Sequence, residues 1–130
     1  MNALLDSFKL DGKVAIVTGA ARGLGQGMAL ALAQAGADIV GVTHASASPE
    51  LAAAVAASGR RYLNVQADLS STEPVARIVQ SALDAFGRID ILVNNAGIIR
   101  RNDSVDFTED DWDAVMNVNL KTAFFLCQAV

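Results

Sequence analysis

Residues 13–25 read KVAIVTGAARGLG, and the order of residue types in this stretch decides the fold. Lys13–Thr18 is short, apolar and rich in β-branched side chains, as expected of a strand buried on both faces. Thr18-Gly19-Ala20-Ala21-Arg22-Gly23-Leu24-Gly25 follows as a turn of mostly small residues. Leu24, Met28, Ala31, Leu32 and Ala35 then recur at helical spacing until Gly36 stops the pattern. A strand, a glycine turn and a helix thus stand in immediate succession.

The same alternation continues outward. Asp38–Thr43 reads as a second strand, and Ser48-Pro49 as the cap and first residue of a helix ending near Gly59. Arg61–Gln66 is a third strand. Ser70 and Glu73 have capping-box spacing ahead of an apolar stripe of Val75, Ile78, Val79, Ala82, Leu83 and Phe86, which Gly87 ends. Ile89–Asn94 is a fourth strand. Thr108 caps a last helix with a stripe of Trp112, Val115, Met116, Asn119, Ala123, Leu126 and Cys127. Apolar strands separated by helices predict an α/β fold, a Rossmann-like doubly wound parallel sheet. Right-handed crossovers give it strand order 3-2-1-4. The sheet is expected to be incomplete at the strand-4 edge. Residues 1–130 then form the N-terminal dinucleotide-binding part of a single domain.

Composition narrows the partners. The chain has 130 residues, 52% of them apolar, enough for one core. Ten Lys and Arg against 14 Asp and Glu leave a net charge of −4, which gives no electrostatic reason to propose nucleic acid or an anionic membrane. Apolar runs such as Ala52–Ala57 are too short to span a bilayer. Met1–Leu10 lacks the layout of a signal peptide, so a cytoplasmic protein is expected. The single cysteine, Cys127, excludes an internal disulfide and reads as core. No Cys and His spacing suggests a metal.

The glycine turn needs small residues for a physical reason. A diphosphate can reach backbone N–H groups at a helix N-terminus, where the dipole favours anions, only if no side chain intervenes. The spacing is G-x-x-x-G-x-G. A tight connection between strand and helix would look similar, but the strand before and the helix after favour a dinucleotide.

TGAARGLG at 18–25, ADL at 67–69, NNAG at 94–97 and VNL at 118–120 resemble, in order and context, the motifs of the short-chain dehydrogenase/reductase family. Within it, the stretches LGQGMALALAQAGADIVG and DILVNNAGIIRRNDSVDFTEDDWDAVMNVNLKTAFF are similar to the branch of 2-dehydro-3-deoxy-gluconate 5-dehydrogenases and 2-deoxy-gluconate 3-dehydrogenases.

That resemblance implies site residues. Thr18, Gly19, Gly23 and Gly25 shape the turn around the pyrophosphate, and Arg22 and Leu24 contact the cofactor. Asp68 and Leu69 hold the adenine; a helix-start acid acting on the dipole is the plainer role for Asp68. Asn95, Ala96 and Gly97 line the ribose, with one Asn tying neighbouring strand backbones together. Asn119 is the catalytic asparagine, facing inward and placed by a local helix distortion, where it holds a water in a proton relay. Arg100 and Arg101 stand where a substrate carboxylate would enter, although two solvated loop charges would read the same way. The resemblance favours NAD. Thr43-His44-Ala45 after the second strand carries neither the acid of an NAD site nor an arginine cluster for a 2′-phosphate, so NADP stays open.

The implied reaction is hydride transfer between NAD(P) and a sugar-acid carbonyl or alcohol, in a homo-oligomer that is a tetramer in intact family members. The implied chemistry also needs a Tyr-x-x-x-Lys pair. The only Tyr is Tyr62, with Gln at 66. The chain therefore reads as stopping before that helix, and alone it is expected to be inactive. The alternative is a non-catalytic dinucleotide-binding or assembly fragment.

Overall fold

β1 (Val14–Thr18), β2 (Asp38–Thr43), β3 (Tyr62–Gln66) and β4 (Ile91–Val93) pair in parallel, in the order β3-β2-β1-β4. This is the doubly wound arrangement that the alternation predicts. The computed structural model describes residues 2–130. A short helix α1 (Ala3–Asp6) precedes the sheet, and α2 (Gly23–Gln34), α3 (Pro49–Ala57) and α4 (Val75–Phe86) connect its strands. After β4 come a 3₁₀ turn (Ser104–Asp106), α5 (Glu109–Met116), a π-helical stretch (Asn117–Lys121) and α6 (Thr122–Ala129).

Successive strand residues bury on opposite faces, so the sheet has two cores. Ala15, Val17 and Ile39 pack with Ala29 and Ala33 of α2 and with Leu51 and Val55 of α3. Val14, Ile16, Val40 and Val65 pack with Ile78 and Ala82 of α4 and with Leu126 of α6. Each fully buried Ile or Leu contributes roughly 1.5–3 kcal/mol. Two caps form as expected: Ser48 Oγ accepts the Leu51 N–H at 3.2 Å and Thr108 Oγ1 accepts the Asp111 N–H at 3.1 Å.

Several boundaries and faces differ from the sequence reading. In α2 the buried face is Gly25, Ala29 and Ala33, one residue out of phase with the predicted stripe, and Leu24 is 81% exposed. Small residues face the sheet because the helix lies close against it. The Ser70–Glu73 capping box does not form. α4 begins later, at Val75, and the Glu73 N–H bonds Ser71 Oγ instead. The fourth strand is three residues long, not six, and Asp90 stands just ahead of it. Its carboxylate accepts the Val14 N–H at 2.9 Å and pairs with Arg88 at 2.6 Å. In the last helix Thr122 and Leu126 are buried, whereas Trp112 and Cys127 are exposed. The stripe counted from Trp112 is thus right at Leu126 and wrong at Trp112 itself and at Cys127, with the wider π turn between the two halves.

The Asp90 contacts carry a pH dependence. The Arg88 guanidinium, helped by the Val14 N–H, lowers its acid from the usual 3.8 to about 2. A folded-state value below the unfolded one stabilises the fold above pH 3.8, and that stability is lost as pH falls through about 2. Asp90→Asn is therefore expected to lower stability at neutral pH and to flatten the fall in melting temperature between about pH 4 and pH 2. Parallel acid titrations of the two proteins by circular dichroism check this; superimposable acid limbs would contradict it.

Candidate functional site

The carboxyl ends of the four strands open onto a cleft of about 700 Å³. Open parallel sheets place ligands at this position. The turn after β1 contributes Gly19, Arg22 and Gly23, the end of β3 contributes Asp68 and Leu69, and the end of β4 contributes Asn95, Ala96 and Gly97. The fold thus gathers most of the predicted cofactor residues around one space. Thr43, His44, Ala45 and Ser46 after β2 form another wall. Leu24 and Gly25 lie outside it, as does Thr18, which is 1% exposed.

Thr18 works from beneath. Its Oγ1 accepts the N–H groups of Asn95 at 3.1 Å and Ala96 at 3.0 Å, and donates to the Val93 carbonyl at 3.4 Å. Asn95 returns the connection: its Nδ2 donates to the carbonyls of Thr18 at 3.2 Å and Gly19 at 3.3 Å. The expectation that one Asn ties neighbouring strand backbones is met by Asn95. The glycine turn and the β4 loop are thereby held against each other.

Two glycines are required by this closeness. Gly19 has φ +66°, and a Cβ there would sit 2.9 Å from Asn95 Nδ2. Gly25 faces inward, and a Cβ on it would run into the Gly19 carbonyl. The helix that starts at Gly23 has Arg22 at its N-cap, with no side-chain cap and no acid in its first turn. The donors of that turn are therefore left for something else.

Asp68 does not act at a helix start. Its Oδ1 accepts the Ser70 N–H at 2.9 Å, and its Oδ2 lies 3.8 Å from Nε2 of His44. The Ser70 hydrogen bond, with a smaller contribution from His44, lowers its acid below the usual value. The group is largely exposed and stays a carboxylate at neutral pH. It offers acceptor oxygens at the cleft wall.

Asn119 lies in the π stretch, so the expected helix distortion is present. Its amide is not buried, contrary to the sequence reading. It spans a loop edge: Nδ2 donates to the Ile98 carbonyl at 3.0 Å, and Oδ1 accepts the Ile98 N–H at 2.9 Å. Its side chain thus pins the segment that follows Gly97.

The two arginines separate. Arg100 lines the cleft and also a second hollow of about 780 Å³, bounded by Ile99, Phe107, Trp112 and Met116. Its Nε is 3.7 Å from Asp111. Arg101 is exposed and lines neither space. Tyr62 stands inside the sheet, where its hydroxyl donates to Asn64 Oδ1 at 3.2 Å, away from the cleft. Among the described residues no cluster of three His, Cys, Asp or Glu could hold a metal. No helix of these residues is long and apolar enough to cross a membrane.

Sequence reasoning missed Thr122, which is buried and bonded to the carbonyls of Leu69 and Ser71. Its only signal is a hydroxyl one turn beyond Asn119 in an otherwise apolar run.

Residues 13–130 match the family model for short chain dehydrogenases. The chain belongs to the short-chain dehydrogenase family. It is 53% identical over 126 residues to 2-dehydro-3-deoxy-D-gluconate 5-dehydrogenase of Escherichia coli (strain K12), a match covering 97% of this chain and 49% of that protein. The enzyme of the same name from Bacillus subtilis (strain 168) is 47% identical over 130 residues, covering 98% of this chain and 50% of that one. Among solved structures, a short chain dehydrogenase from Burkholderia cenocepacia J2315 in complex with NADP superimposes with a TM-score of 0.89 at 42% identity, over 93% of this chain and 50% of that one. A blue fluorescent protein from a metagenomic library, in complex with NADPH, does so with a TM-score of 0.85 at 38% identity, over 93% and 51%. The chain spans about half the length of the relatives it matches.

Proposed function

We propose that residues 1–130 form the dinucleotide-binding part of a single Rossmann domain. In this reading the parent enzyme passes a hydride between NAD(P) and the carbonyl or alcohol of a sugar acid resembling 2-keto-3-deoxy-gluconate. The observation that carries this reading is the convergence of the uncapped α2 start, Asp68-Leu69 and Asn95-Ala96-Gly97 on one cleft. A dinucleotide fits these donors and acceptors. Free N–H groups at the start of α2 suit a diphosphate. Asp68 suits the amine of an adenine, with Leu69 against the ring, and the small residues after β4 suit a ribose lying close to backbone. When bound, the nicotinamide ring supplies the hydride acceptor or donor. Asn119 holds Ile98 and, through its π-helical backbone, keeps a water for the proton relay. The high identity to two 2-dehydro-3-deoxy-D-gluconate 5-dehydrogenases supports the substrate class.

Arg100 is the better of the two arginines for a substrate carboxylate, because it borders both spaces. Leu120, Phe124 and Phe125 are exposed apolar groups on the last helix and fit a contact between copies in a homo-oligomer.

The resemblance pointed to NAD; the wall after β2 supports NADP. Thr43 to Ser46 brings no carboxylate for a free ribose diol, and Arg22 lines the same cleft. Two similar structures hold NADP and NADPH. Arg22→Ala is expected to weaken NADP binding about tenfold or more while changing NAD binding by less than about threefold. Fluorescence titration of both nucleotides measures this. Equal losses for both would mean that Arg22 meets a part common to the two nucleotides and would remove its support for NADP, and no binding of either by folded protein would overturn the proposal. The 130 residues alone are expected to bind without turnover, and steady oxidation of a sugar acid by them would show that the chemistry has been misplaced.

A further inference from the structure

The geometry points to Thr122 as a positioning residue for the adenine end of the cleft, an inference that rests on reading Asp68 and Leu69 as the adenine wall. Thr122 is 1% exposed, at the first position of α6. Its Oγ1 lies 2.9 Å from the Leu69 carbonyl and 3.3 Å from the Ser71 carbonyl. One hydroxyl proton serves both acceptors, and the Asp68–Ser70 turn lies between and beside them.

Little else holds that turn. The Ala67 N–H bonds the Thr43 carbonyl, and α4 begins at Val75. Between these anchors, among the described residues, the only other hydrogen bond from residues 68–72 to another element is the one the Thr72 carbonyl accepts from the Val75 N–H, at the far end of the segment from Leu69. The His44 contact to Asp68 is long and exposed on both sides. Fixing Leu69 therefore falls to Thr122 and to the packing of Leu69 on the core.

The π stretch explains how one helix segment reaches both sides of the cleft. The Thr122 N–H bonds the carbonyl of Asn117, five residues back, in place of the regular four. The wider turn lets Asn119 hold Ile98 while Thr122 faces the opposite loop. The two loops that bound the cleft are thus spaced by residues 119–122 of a single helix. A threonine in a regular helix commonly turns its hydroxyl back to its own backbone. Here the hydroxyl is spent on a loop about fifty residues away in sequence.

The test compares Thr122→Val and Thr122→Ser with the unsubstituted protein. Valine keeps the shape and loses the donor; serine keeps the donor. Titration with NADP and with NAD is expected to give Kd values raised about three- to tenfold for both nucleotides in the valine variant, and restored to within about twofold by serine. Hydrogen exchange is expected to quicken in peptides covering 68–72 and to stay unchanged at 96–99. Unchanged affinity in the valine variant, failure of serine to restore it, or a loss of protection spread over the whole sheet would overturn the inference. Leu69→Ala separates the two levels. If it weakens binding while Thr122→Val does not, only the role of Thr122 falls; if it leaves binding unchanged, the adenine-wall reading falls with it. Should the valine variant not fold, Thr122→Cys, with its weak thiol donor, takes its place under the same criteria.

Discussion

Replacing Thr18 with valine is expected to lower the melting temperature by roughly 5–10 °C and to weaken dinucleotide binding at least about tenfold. The substitution changes almost no volume, so packing is not the cause. It removes the acceptor for two backbone N–H groups, those of Asn95 and Ala96, and the donor to the Val93 carbonyl. Unpaired donors under a loop cost about 1–3 kcal/mol each when water cannot reach them. These two are only partly covered, so each falls at the low end of that range, about 2 kcal/mol together. The binding loss follows because the same bonds hold the β4 loop against the glycine turn. Thermal melts and nucleotide titrations check both effects, and Thr18→Ser should recover most of each. A valine variant that melts and binds like the original would mean that the strand register alone positions the loop.

Gly25→Ala is expected to do more damage than its single methyl suggests. The added carbon meets the Gly19 carbonyl, which is backbone inside a tight turn and cannot rotate away. The helix must retreat from the sheet, at about 1–3 kcal/mol of overpacking. Because the start of this helix is the proposed anion site, binding should fall about thirtyfold or more. Gly27→Ala is the matching control. Its Cβ would meet nothing within 4 Å, and in a helix interior alanine should stabilise by up to about 1 kcal/mol. Melting and titration of the pair decide the matter. If Gly25→Ala behaves like Gly27→Ala, close approach is not what residue 25 provides.

The strands and their order were legible because buried parallel strands declare themselves as apolar runs between glycine-bounded helices. Val14–Thr18 and Asp38–Thr43 have this form. The face of α2 was not legible. Hydrophobic periodicity weighs Leu24 and Met28 above Gly25 and Ala29, whereas closeness to the sheet selects for small size. Three of the four motifs located cleft walls, since TGAARGLG, ADL and NNAG sit at strand ends, whereas VNL lies in the π stretch. They did not reveal the cross-connections. The Thr18 bonds to Asn95 and Ala96 span 77 and 78 residues, and those of Thr122 to Leu69 and Ser71 span 53 and 51. Such pairings exist only once the chain has folded. Asn119 was placed on a distorted helix, but its exposure was misjudged because the count of inward positions began at Trp112, a large apolar residue that is itself exposed.

The central strand also has a consequence for synthesis. β1 pairs on one side with β2, which follows closely, and on the other with β4, which is made much later. As the chain leaves the ribosome, β1, β2 and β3 have all emerged while one flank of β1, including the Val14 N–H that Asp90 will accept, is still bare. During that interval the nascent chain offers an unprotected template to any extended segment nearby. Slow passage of the chain between the emergence of Gln66 and that of Ile91 lengthens the exposure, and a chaperone holding the emerging sheet should matter most in that window.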